Sequence, residues 1–319
     1  MNVAQKVSSP VMLLIFVAST LVAEPERDSL RYKRANPPKW NSRDISGLFF
    51  SDALREGIQQ RRVEGAKGDR EPVVPNASAT AAETSPTPFA WSRLVSPTTI
   101  EDEIKSLKTQ VDTVVTTPGK FAGQGYIDAR QHFTTLALLF AVIGEYDGEV
   151  RWKNDATTAR DLFAHAASVA KVGTIQVFNA ARQRKLDLDD LVGGSRLTTP
   201  ASRHANNWGE VADRAPLMNR LELAVDVRLG KWTANAQELR VSRDRVIHEA
   251  EIAAMIAESL TREGMEDGDD DDYAEYCRRL QEAARQIIDA AKQQDHVKAR
   301  QAASAMKQSC DACHELYRA

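Results

Sequence analysis

Cys310, Cys313 and His314 stand together near the end of the chain, in the run Cys310-Asp311-Ala312-Cys313-His314. Two thiols at this spacing can bind zinc, exchange disulfides, or add to the vinyl groups of a porphyrin. The histidine that follows at once favours the third chemistry. Both thiols must meet one flat macrocycle, so they must lie about one helical turn apart, and the next imidazole is then placed to face the iron. Zinc would require two further soft ligands, and Cys277, the remaining cysteine, has no CxxC partner. A dithiol-exchange motif would open a βαβ unit, whereas this one closes a helical chain. The expected cofactor is one haem c per chain, held by Cys310 and Cys313 with His314 as the proximal iron ligand.

The elements that position this motif follow from composition and periodicity. A chain of 319 residues has room for two domains, or for one with long appendages. A net charge of −3 gives no electrostatic case for nucleic acid. Few aromatics and many alanines lean towards helix. At the N-terminus, Lys6 and the apolar run Val11 to Ala23 read as an export signal over residues 1–23. That run is shorter than the roughly 20 residues a membrane span needs. No cysteine follows it, which excludes a lipoprotein anchor. Export and a covalent haem point to one compartment, the periplasm.

Residues 24–97 read as largely disordered, with a short helix near 44–62 and a Pro-, Ala-, Ser- and Thr-rich linker from Gly65. From Ile100 the apolar spacing turns helical. Four helices fill 98–195, at about Ile100–Val115, Ile127–Tyr146, Asn154–Val172 and Thr174–Leu191, broken at Pro118-Gly119, Asp147-Gly148 and Gly193-Gly194. Four more fill 206–319. The first carries Met218, Leu221, Val225, Leu229 and Trp232, and Ser242 is read as the cap of the second. The third starts near Tyr273 and the fourth runs from His296 into the haem motif. The fold class is all-α: two consecutive four-helix up-down-up-down bundles, the second carrying the haem. Sliding the first set by 120 residues lays Asp147-Gly148 on Asp267-Gly268 and puts Asp190 and Gly193 opposite Cys310 and Cys313. The first bundle thus reads as a haem-less copy of the second.

The haem motif at the C-terminal end of the last helix, the four amphipathic helices ahead of it, and the tail Glu315-Leu316-Tyr317-Arg318 together resemble class II c-type cytochromes, the cytochrome c′ group. The resemblance covers about Pro216 to Ala319. It implies thioethers at Cys310 and Cys313, a proximal His314, and Arg318 near the imidazole. It also implies that the first helix of the bundle presents either a methionine to the iron or an apolar cover. Met218 is the candidate iron ligand, Leu221 or Leu217 the candidate cover, and His248 a third option. Met306, on the same helix as His314, cannot reach the opposite face of the ring. Cys277 reads as a small core residue and the acidic run Glu266 to Asp272 as a solvated loop able to steer a basic partner.

Three function classes follow as expectations. With Met218 on the iron, the chain is an electron carrier serving periplasmic redox proteins. With an open distal face it binds diatomic gases such as NO or CO. The haem-less bundle and the 44–62 helix offer a third role in partner binding, and dimers are common in the family, so a homodimer is to be tested. No catalytic cluster argues for an enzyme, and no stable membrane span is expected once the signal is removed.

Overall fold

A computed structural model describes residues 89–199 and 205–318 of the chain. The expected signal segment 1–23 and the helix near 44–62 lie outside the described residues. Among the described residues every regular element is helical, and none is long and apolar enough to cross a membrane.

Helix α1, Pro97–Val114, starts where Ser96 accepts the Thr99 amide with Pro97 at the first helical position. It buries Ile100, Ile104, Leu107 and Val111, one stripe at four-three-four spacing. Helix α2, Tyr126–Glu145, follows a short turn and a π-helical segment, Phe121–Gly125. From Phe133 to Ile143 it is buried on every side, as expected of the central helix of a core. Helix α3, Ala156–Val169, lays Phe163 between Phe133 and Phe140, with ring centroids 6.0 and 5.6 Å apart. Helix α4, Ile175–Gly193, ends at Gly194, whose φ of 94° is the left-handed stop that glycine adopts most readily.

A short helix, Trp208–Val211, leads into the second half. Helix α5, Arg214–Glu222, continues through a π-helical stretch, Leu223–Leu229, into Gly230–Trp232. Helix α6 is Ala236–Ser259, α7 is Asp271–Gln293 and α8 is His296–Tyr317. The cap of α6 is a correction to the sequence reading. Asn235, in extended backbone, accepts the Glu238 amide, while Ser242 lies buried inside the helix. Residues 236–241 are good enough helix formers to carry the helix back past Ser242 to the asparagine.

Within the first half α1 packs on α2, α2 on α3, and α4 on both α1 and α3. The second half repeats that order, α5 on α6, α6 on α7, α7 on α8, and α8 back on the π-helical end of α5. The 120-residue slide carries α4 onto 295–313, against α8 at His296–Tyr317, and the start of α1 onto 217, against Arg214. The halves are not apart, since the described residues all belong to one compact unit. They meet through α2 on α5 and α1 on α6, pairs that are each other's counterparts in that register. At this seam Arg220 Nε donates to Glu103 Oε1 at 2.9 Å and its Nη1 to Glu249 Oε2 at 2.7 Å, all three side chains buried. Burial alone would raise the Glu103 carboxyl, but Arg220, with His248 beside it, holds it at about 2. Ser96 adds a second tie across the seam, its amide and hydroxyl both donating to Glu251 Oε2.

Candidate haem site

Helix α8 presents Cys310, Cys313, His314 and Tyr317 at intervals of three, four and seven residues, which puts them on one face. All four line a single cavity of about 450 Å³ between α5, α7 and α8. That volume lies within the roughly 300–1,000 Å³ of ordinary cofactor pockets. The opposite wall is α5, which contributes Met218, Leu221 and Glu222, and its π-helical continuation, which contributes Val225 and Asp226. Leu260, Cys277 and Leu280 add apolar surface from α6 and α7.

The wall carrying the motif is held at both ends. Asp295 caps α8 by accepting the Lys298 amide, and Ser309 Oγ donates to the Tyr276 carbonyl of α7 at 3.1 Å. At its far end Tyr317 Oη donates to Asp270 Oδ1 at 2.8 Å. Asp270 is itself the cap of α7, accepting the amides of Asp272 and Tyr273. One carboxylate therefore ties the start of α7 to the end of α8. Tyr317 also packs edge-on against Tyr273, centroids 5.1 Å apart.

The cavity has two electrically different ends. Around Cys310 stand Asp226, Asp311 and Lys307, with Lys307 Nζ 3.4 Å from Asp226 and 2.7 Å from Asp311. Cys313 instead feels Arg214, whose guanidinium pairs with Glu266 at 2.9 Å and with Asp267. The acidic run is largely exposed, as the sequence suggested, but Glu266 and Asp267 at its start pair with Arg214 at this end of the cavity. Burial pushes the Cys310 thiol up to about 11 and the Cys277 thiol up to about 12, and it raises Cys313 as well. All three cysteines are free. At neutral pH they are S–H groups, the opposite of the depressed thiols of a disulfide-exchange CxxC.

These features fit a covalently held porphyrin. Two unpaired thiols one turn apart share a wall with the imidazole that follows them, the opposite wall is largely apolar, and the cavity is of cofactor size. Among the described residues no group of three or more His, Cys, Asp or Glu side chains is arranged to hold a bare metal ion.

The sequence candidates divide clearly. Cys310, Cys313, His314, Arg318 and Met218 all line the cavity. Leu221 lines it too, whereas Leu217 is fully buried in the core and Met306 likewise faces away. His248, the third option for the iron, is at the seam, with Nε2 2.9 Å from Glu103 Oε2. The buried carboxylate on α1 attracts it there. Cys277 is small and buried as expected, and it is a third thiol in the cavity wall. Arg214 and Tyr273 escaped the sequence reading. Their signal was spacing: Arg214 lies four residues before Met218, and Tyr273 opens the run Tyr273, Tyr276, Cys277, Leu280 at helical intervals.

Comparison with known proteins agrees with this geometry. Residues 268–318, spanning α7 and α8, match the family model for cytochrome c′. No curated protein and no solved structure matches the chain. The family match supports a c-type haem protein and agrees with the class II resemblance of the C-terminal region.

Proposed function

We propose that the chain is a one-electron carrier, exported to the periplasm, whose single haem c is fixed to α8 through Cys310 and Cys313 with His314 as proximal ligand. The observation that carries this is the convergence of those three side chains and Met218, from the facing helix, on one cavity. Bound there, the haem supplies a centre that gains and loses one electron.

The chain's own residues have distinct parts. Cys310 and Cys313 would supply the attachment sulfurs, each thiol adding its sulfur to one vinyl carbon and its hydrogen to the other. His314 would hold the iron from the attachment side, and Met218 is the proposed second ligand, a soft thioether that would raise the potential. Leu221, Val225, Leu260 and Leu280 keep water from the ring. Arg318 lies in the lining next to the proximal helix end and is proposed to tune the charge around it. The rim acids Glu222, Asp226, Glu266 and Asp311 outnumber the bases Arg214, Lys307 and Arg318. That imbalance suits a basic redox partner, attracted more strongly at low salt. No substrate-converting role is proposed. The division into bundles at 98–195 and 206–319, the first without haem, is part of the same reading.

The test is to produce the full chain with cytochrome maturation machinery and record the mass and the ferric and ferrous spectra. The expected product is coloured, one haem heavier than the processed polypeptide, and low-spin in both states. A colourless product of bare polypeptide mass overturns the haem reading. A coloured, high-spin ferrous form that binds CO without displacing a ligand overturns the carrier in favour of gas binding.

A further inference from the structure

We propose that Tyr273 is a positioning residue for the cofactor, its phenol donating a hydrogen bond to a carboxylate of the bound haem. This rests on the haem reading above and goes beyond it, because it says how the macrocycle is oriented in the cavity.

Tyr273 is 2% exposed and lines the cavity, and its oxygen faces the Arg214 guanidinium, which can only donate, so its own proton has no acceptor. Among the described residues, it is the one buried hydroxyl in the cavity wall whose proton has no acceptor. A buried hydroxyl left unpaired is costly, so a group filling this space should bring it an acceptor. The polar side chains packed against it, Arg214 and Tyr317, are already committed. Arg214 gives one guanidinium nitrogen to Glu266 and another to Asp267. Tyr317 donates to Asp270, and Lys307 sits between Asp226 and Asp311 at the Cys310 end. The phenol is thus a donor held in reserve.

A haem is hydrocarbon around most of its edge and carries two carboxylates, its natural hydrogen-bond acceptors apart from whatever sits on the iron. The Arg214 guanidinium lies 5.9 Å from the Tyr273 ring centre, its charge shared by Glu266 and Asp267. What favours a haem carboxylate is the bond itself, because a hydrogen bond to a charged oxygen is the strong kind. The phenol itself cannot ionise to compete: burial pushes it well above the usual tyrosine range, with Arg214 only partly opposing. The packing of Tyr273 on Tyr317, three residues past His314, ties the carboxylate's position to the proximal helix.

The experiment uses the haem-loaded full chain and its Tyr273→Phe variant, which keeps the ring and removes the oxygen. Resonance Raman spectra report the bending band of the haem carboxylates and, in the ferrous CO form, the iron–carbon band. The expected result is a carboxylate band that moves to lower frequency in Y273F, with haem content and the iron–carbon band unchanged. In the unaltered protein the same band should shift on exchange into D2O, and much of that shift should be lost in Y273F. A carboxylate band indifferent to D2O overturns the proposal on the unaltered protein alone. An unchanged carboxylate band in Y273F overturns it too, as does a change confined to the iron–carbon band. A colourless wild-type chain refutes the haem reading instead, so the two failures are distinguishable.

Discussion

Replacing Arg220 by methionine tests whether the two helical halves are held as one cooperative body. Arg220 bridges Glu103 of α1 and Glu249 of α6 in a site where all three side chains are buried. It is the main reason the Glu103 carboxyl falls from 4.5 to about 2 against the opposing pull of burial. A shift of that size corresponds to about 3 kcal/mol at neutral pH. Removing one partner of a buried ion pair ordinarily costs about 3–5 kcal/mol, because the other charge stays buried. The expected loss for Arg220→Met at pH 7 is therefore about 3–5 kcal/mol. The pH dependence has a definite sign. In the wild type the folded pKa is depressed, so this contribution is complete above 4.5 and is lost as pH falls towards 2. In the variant burial is opposed by His248 alone, so the carboxyl is no longer held as low, takes up a proton at higher pH and sheds its penalty. The stability gap between the two proteins should narrow steadily from pH 6 to pH 3. Urea unfolding at several pH values, followed by far-UV circular dichroism and by haem absorbance, measures it, and in the wild type the two probes should trace one transition. A gap below about 1 kcal/mol at pH 7, or one that does not change on acidification, refutes the reasoning.

Three further outcomes are expected. Met218→Ala should convert a low-spin ferric spectrum to high-spin and let the ferrous form bind CO directly; a spectrum identical to wild type would make Met218 plain packing. Replacing both Cys310 and Cys313 by serine should leave haem that acid acetone extracts, whereas either single variant should retain it through one thioether. Phe140→Ala removes the ring that stacks 5.6 Å from Phe163 in the fully buried centre of α2, and should cost about 3–5 kcal/mol in thermal or urea unfolding, with the haem spectrum unchanged.

Much of the site was legible in the chain itself. Cysteine and histidine at this spacing have little other joint chemistry, and helical intervals alone place Cys310, Cys313 and His314 on one face of α8. The apolar stripes likewise marked eight helices, because burying one face of a helix demands a repeat of three and four residues. Helix beginnings were less legible. Ser242 had the right chemistry for a cap, but the chain was already helical from Ala236, and only backbone in the extended state can serve there.

What the linear order could not decide were the pairings between segments far apart in it. Glu103 meets Arg220 across 117 residues and His248 across 145, and that encounter, invisible to any local pattern, moved the histidine from a candidate ligand to the seam. Tyr273 and Arg214 enter the cavity for the same reason, their places being set by how α5 and α7 pack on α8. The attachment chemistry proposed for the cofactor is local, so sequence alone specified its residues. The environment around it is a sum of contacts from three helices, and that sum exists only once they pack.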